Sequence, residues 1–193
     1  MEFILAVLIG IGLSASAGFR VFTPLLITSI ASKISWVSLA DGFDWIGSTP
    51  ALVAFSIAML VEIGAYYIPF VDNLIKMIAT PAAIIAGSLL TASFIGDMEP
   101  FLTWSISIIA GGGVASATQL MTAAVRGTST VTTGGMGNFL VTIFEGISAA
   151  VISVLTILLP FLSVIIIGII VFVFIKIMKR IKSRGYEKSM QAN

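Results

Sequence analysis

The sequence predicts an all-α protein, a polytopic membrane bundle of about six transmembrane helices. Of its 193 residues, 58% are hydrophobic and 10% are charged, and the mean hydropathy is +1.13. Soluble domains carry about 25% charged residues, so an ordinary soluble domain is excluded, and so is a disordered chain. Six apolar stretches are long enough to cross a bilayer, which takes about 20 residues. The polar junctions between them are short.

The six predicted spans are residues 3–32, 50–68, 74–95, 101–125, 138–159 and 161–181. Four prolines lie at their edges, where proline suits a first helical turn: Pro50, Pro69, Pro100 and Pro160. Two more, Pro24 and Pro81, predict a kink or a break. The longest junction, 33–49, carries Trp36 and Trp45 and is expected at the headgroup zone. The glycine-rich segment 127–137 is expected to be a flexible loop.

Charge predicts how the chain is organised and oriented. Residues 1–182 are expected to form one membrane domain and 183–193 a basic cytoplasmic tail, since six of the ten Lys and Arg lie between 176 and 188. Six crossings would then place both termini in the cytoplasm. The tail is expected to contact anionic headgroups. Although Ala15-Ser16-Ala17 suits signal cleavage, the absence of Lys or Arg before it favours a retained first helix.

Two halves, 1–96 and 97–182, show a weak internal similarity. Small-residue segments 11–17 and 112–118 are each followed by an arginine, Arg20 or Arg126, and then by a helix with one acid. Three spans per half would insert the halves in opposite orientations, giving a 3+3 inverted repeat like that of many transporters. Unrelated halves remain the alternative.

The chain contains no cysteine and no histidine. This excludes disulfides, thiol chemistry, His or Cys metal sites and a Ser-His triad. An intramembrane lipid enzyme could use two carboxylates, but no catalytic motif accompanies them. We therefore predict no enzyme, no cofactor, no metal and no nucleic-acid partner.

Four charged residues lie in or near apolar spans: Arg20, Glu62, Arg126 and Glu145. One charge at the bilayer centre costs about 2.5–3.5 kcal/mol, so these groups are expected to pair or to meet water. The natural pairs are Arg20–Glu62 and Arg126–Glu145, or the crossed pairs. Further candidates for substrate binding or ion coupling are neighbouring polar residues: Tyr66, Asp72, Asn73 and Asn138. A purely structural lock between helices is the alternative.

Small residues spaced four apart in the first span favour close helix packing. The alternative is a broken helix, interrupted near Gly18 and Pro24, whose free N–H groups meet an anion.

The residues of two segments resemble a known family. Residues 12–25 (GLSASAGFRVFTPL) and 62–73 (EIGAYYIPFVDN), with Arg126, Gly137-Asn138 and Glu145, are similar to the domain of unknown function 4126 family of small bacterial membrane proteins. Gly146 stands where many members have a second acid. The resemblance implies a helical integral membrane fold and bacterial origin, and it implies no activity. We expect the protein in the bacterial inner membrane.

We expect a small membrane transporter or channel for an ion or small anionic solute, with a charged midplane site. The arginines would attract an anion, and the two glutamates would bind a cation or carry a coupled proton. The alternative is a non-transporting structural, assembly or lipid-organising protein. The bilayer is the expected partner, and a homo-oligomer is left open.

Overall fold

The computed structural model describes residues 2–65, 69–96, 98–162, 165 and 168, with the backbone alone for residues 2 and 69–77. Every regular element in these ranges is helical, which confirms the all-α prediction. The helices are α1 (Glu2–Phe19), α2 (Phe22–Lys33), α3 (Thr49–Ala65), α4 (Pro69–Ala92), α5 (Pro100–Ile106), α6 (Gly113–Thr133) and α7 (Asn138–Leu158). A 3-10 turn spans Asp44–Gly47.

Helices α1 and α2 form a hairpin, although residues 3–32 were predicted to cross the bilayer once. Helix α1 runs antiparallel to α7. Ser16 donates to the Ala149 carbonyl near the middle of α7, and Arg20 donates to the Thr142 carbonyl nearer the start of α7. Helix α2 then runs back beside α3, because Phe22 contacts Glu62 and Lys33 contacts Thr49. Both ends of the hairpin therefore lie at the same end of the bundle, and the tip lies inside it.

The two similar small-residue segments run parallel. In α1, a Cβ on Gly18 would collide with Thr118 in α6, and one on Gly10 would contact Thr91 in α4. Helix α4 is antiparallel to α1, because Thr91 lies against Gly10 and the Gly87 carbonyl accepts from Ser14. It is antiparallel to the 112–118 segment as well, because Thr91 lies against Gly111 and Gly87 against Ala115. An inverted repeat requires opposite directions for matched helices, so the contacts of these segments give it no support. The small residues serve close packing, as their spacing predicted.

A single helical rod runs from Pro100 to Thr133, through α5, a π-helical segment (Ser107–Gly112) and α6. The predicted loop over 127–137 is wrong for its first part, because α6 continues to Thr133 and only a glycine-rich turn precedes Asn138. Arg126 is therefore inside a helix rather than at its end. Pro81 likewise lies within α4, which continues through it.

Among the described residues, polar and apolar side chains are distributed in the opposite way to those of a soluble protein. Buried positions include about as many polar or charged side chains as apolar ones, while many large apolar side chains are exposed. On α7 the buried face carries Thr142, Glu145 and Ser153, and Phe144 and Ile147 point outward. Two helices, Pro100–Thr133 and Asn138–Leu158, are long and apolar enough to cross a membrane, and three shorter apolar helices accompany them.

Aromatic contacts show that the α2–α3 and α4–α5 junctions lie at the same end of the bundle. Phe43 lies against Trp104 at the start of α5, with ring centroids 6.2 Å apart, and Trp45 lies equally close to Phe55. The Ala40 amide donates to the Ser93 carbonyl just after α4. The α2–α3 and α4–α5 junctions thus share this aromatic end, and the α6–α7 turn lies at the opposite end.

Candidate functional site

The hairpin tip is a helix break that proline chemistry explains. Pro24 has no N–H, and its ring would clash with the carbonyl of Arg20 four residues earlier in a continuous helix. Helix α1 accordingly ends at Phe19 and α2 begins at Phe22. The break exposes the N–H groups of Val21 and Phe22, which have no acceptor within their own helix.

Glu62 supplies the acceptors for both groups. The Val21 N–H donates to Oε1 of Glu62 at 2.9 Å, and the Phe22 N–H donates to Oε2 at 3.2 Å. Glu62 lies in the last turn of α3 and is 8% exposed. A carboxylate at a helix N-terminus is stabilised by both the hydrogen bonds and the helix dipole. The broken helix that meets an anion is thus present, and the anion is one of the protein's own side chains.

Arg126 and Glu145 form the second buried charged unit, and this predicted pair is confirmed. The Nε of Arg126 donates to Oε1 of Glu145 at 2.9 Å, while a second guanidinium nitrogen contacts Oε2. The geometry is bidentate, which is the strong form of an arginine–carboxylate contact. Both side chains are buried, so the pair joins α6 to α7 away from solvent.

Arg20 connects the two units. It is 3% exposed at the hairpin tip and donates to the Thr142 carbonyl at 3.2 Å, one turn before Glu145. The charges of both Arg20 and Glu145 act on the Glu62 carboxylate, the first by attraction and the second by repulsion. The four charged residues therefore converge on one interior region. A direct Arg20–Glu62 pair was predicted, but the Glu62 carboxylate accepts hydrogen bonds from backbone N–H groups instead.

The other predicted candidates lie apart from this cluster or outside the description. The amide nitrogen of Asn138 donates to Thr130 at 2.9 Å, at the α6–α7 turn. Tyr66 lies outside the described residues, and so do the side chains of Asp72 and Asn73. The basic tail is outside them as well. No cluster of three acidic side chains within the described ranges could bind a metal.

Sequence reasoning missed two features of the site. Buried hydroxyls line α1: Ser14 bonds to Thr91 on α4, and Ser16 bonds to Ser153 on α7. Their spacing suggested only packing, since serine is small enough for both roles. The second is a cavity of about 580 Å³ beside the hairpin tip, which Glu62 and Gln119 help to line. A cavity depends on how helices diverge, so no sequence pattern indicates it.

Comparison with known families decides the assignment. A family model described as a domain of unknown function, DUF4126, matches residues 7–180. The chain belongs to the DUF4126 family. The predicted resemblance is confirmed, and the DUF4126 match includes the hairpin tip, both buried glutamates and both buried arginines. No curated protein and no solved structure matches the chain.

Proposed function

We propose that this DUF4126 protein is a small membrane transporter or channel for ions, with the charge cluster at the hairpin tip as its coupling site. The observation that carries the proposal is the Glu62 carboxylate, which caps the N-terminus of α2 inside the bundle. Broken helices with an inward N-terminus form the substrate and ion sites of many transporters. Irregular backbone at membrane depth is tolerated where protein or a water-filled cavity surrounds it.

The inverted polarity of the bundle supports a membrane location, and we propose the bacterial inner membrane. Six of the ten Lys and Arg lie between 176 and 188, and the predicted span over 161–181 would take them to the end opposite the aromatic junctions. Among the described Lys and Arg, Lys33 alone lies at the aromatic end, so by the positive-inside rule we propose that the aromatic end faces outward. Because the hairpin returns, the start of α1 also faces outward. The basic tail would then face the cytoplasm as predicted from the sequence, whereas the start of the chain would not.

The cluster lies on the cytoplasmic side of the midplane. Thirteen residues separate Glu62 from Thr49, Arg20 from Lys33 and Glu145 from Leu158. At 1.5 Å per residue, the cluster is about 20 Å from the aromatic end. Seven residues, about 10 Å, separate Glu145 from the start of α7. The short path from the cluster to the cytoplasmic end suits a coupling ion that exchanges with that side.

The geometry favours a proton or another cation over an anion. Both carboxylate oxygens of Glu62 accept hydrogen bonds from the tip, and a proton or cation bound at the remaining lone pairs would weaken those bonds. Loss of these bonds would leave the first N–H groups of α2 without acceptors, so the tip would move. Arg126 is committed to Glu145 and Arg20 to the Thr142 carbonyl, which makes them weaker anion sites.

Flux through reconstituted protein tests the proposal. The full chain in liposomes is assayed for proton, alkali-cation and small-anion flux, with thermal unfolding in detergent as the folding check. Glu62→Gln is expected to abolish cation or proton flux. Glu99→Gln, the same change at an exposed acid, is expected to leave flux unchanged. Full flux in a normally folded Glu62→Gln variant contradicts the proposal.

A structural role is the second candidate, because both glutamates already have partners inside the protein. Under this alternative, the contacts fix helix positions and transport is absent. Exchange of the pair, Arg126→Glu with Glu145→Arg, would then preserve folding and any association with another membrane protein. The liposome assay would show no flux for the wild-type protein.

A further inference from the structure

The cavity beside the hairpin tip lies between α3 and α4. Its volume is about 580 Å³, within the roughly 300–1,000 Å³ of sites for drug-sized ligands. Its walls come from the tip, α3, α4 and α6, and include Phe19, Phe22, Ala58, Glu62, Ala82 and Gln119. The site is therefore built from four elements and adjoins the proposed coupling group.

The walls combine one charge with an apolar interior. Glu62 is the only charged residue among the described lining residues, and apart from Gln119 all the others are apolar. A carboxylate has about four lone-pair positions, and the two backbone N–H bonds leave the others available. The walls therefore favour a positive charge attached to an apolar body over a phosphate group, and the nearby Arg20 offsets only part of the Glu62 charge.

The cavity reaches the side of the bundle rather than its end. Ile57 and Val61 on α3 and Ile78 on α4 line it, and each is more than half exposed. In a membrane this exposed face contacts lipid chains. A ligand that enters here must first dissolve in the bilayer, which further selects an apolar molecule.

We propose that this cavity binds lipophilic organic cations that enter from the bilayer between α3 and α4, with the cationic centre at Glu62. The inference rests on the proposed function and names its substrate class. In this arrangement the cation and the hairpin N–H groups share one carboxylate, so ligand binding weakens the contact that fixes the tip.

Binding of a matched pair of lipophilic ions tests the site. Tetraphenylphosphonium and tetraphenylborate have similar shapes and opposite charges. Equilibrium dialysis compares their binding to the purified full chain in nonionic detergent, with protein-free micelles as the blank. We expect saturable binding of the cation at one site per chain, and at least about tenfold weaker protein-dependent binding of the borate. Equal affinities, or tighter binding of the borate, overturn the inference.

Variants locate the binding. Glu62→Gln is expected to lower the phosphonium affinity about tenfold, and Ala82→Phe, which fills the cavity, to lower it at least as much. Leu60→Phe is the matched control, because Leu60 is 68% exposed and does not line the cavity. If Glu62→Gln fails to fold, Ala82→Phe decides the question. Undiminished binding in Ala82→Phe overturns the site.

The binding and flux experiments separate the two proposals. Selective phosphonium binding without any ion flux would support the cavity and reject transport. Cation flux that depends on Glu62, without phosphonium binding, would support transport and reject this substrate class.

Discussion

Removal of one member of the Arg126–Glu145 pair is expected to destabilise the protein far more than removal of both. The side chains are 8% and 2% exposed, and their contact is bidentate. Loss of one partner leaves the other as an uncompensated buried charge, at a cost of about 3–5 kcal/mol. Arg126→Met and Glu145→Met should each lower the free energy of unfolding by about that amount.

The double variant Arg126→Met/Glu145→Met removes both charges at once. Replacement of a buried ion pair by apolar residues of similar size is often neutral, or stabilising by about 1–4 kcal/mol. We therefore expect the double variant to unfold within about 2 kcal/mol of the wild-type protein. The coupling between the two sites then amounts to several kcal/mol.

Titration with SDS in mixed micelles, followed by tryptophan fluorescence, measures the four unfolding free energies. Lys33→Met is the matched control, since Lys33 is exposed and its loss should cost less than about 1 kcal/mol. A cost below about 1 kcal/mol for Arg126→Met would show that the pair is solvated, and the reasoning would fail. A stable double variant without ion flux would assign the pair a part in transport, whereas full flux would make it structural.

Two further predictions concern helix packing and use the same titration. Gly18→Ala is expected to destabilise by about 1–3 kcal/mol, because its Cβ would collide with Thr118. Gly127→Ala, at an exposed and open position in α6, should stabilise by up to about 1 kcal/mol, and equal effects of the two changes would refute the close contact. Ser16→Ala is expected to cost about 0.6–1.7 kcal/mol, because its hydroxyl bonds to α7. Adding Ser153→Ala should cost less than the sum of the single changes, and strict additivity would contradict the shared hydrogen bond.

Hydropathy and proline positions predicted most helix boundaries well. The predicted span 138–159 corresponds to α7 (Asn138–Leu158), and 50–68 corresponds to α3 (Thr49–Ala65) as far as the chain is described. Prediction failed at 127–133, where polar and glycine residues suggested a loop but α6 continues, and threonine hydroxyls there donate to carbonyls four residues earlier. Local propensity is a weak indicator of where a helix ends.

The charged residues were identifiable because a charge in an apolar span has few explanations. Their partners were only partly identifiable. Arg126 and Glu145 pair as predicted, but Glu62 bonds to the backbone of Val21 and Phe22. Opposite side-chain charges can be matched from the sequence alone. Which backbone N–H groups lack a helical acceptor becomes known only when the position of the helix break and the path of the chain after it are known.

The sequence alone determined that this chain is helical, rich in apolar surface and equipped with a few interior charges, since composition and periodicity act locally along the chain. Only the tertiary structure decided that the first apolar stretch folds back as a hairpin. A proline break permits both a kinked continuous span and a reversal, and the choice between them depends on contacts with α3, α4 and α7, which lie far away in sequence. That reversal brings the α2 N-terminus to Glu62 and places a cavity beside it.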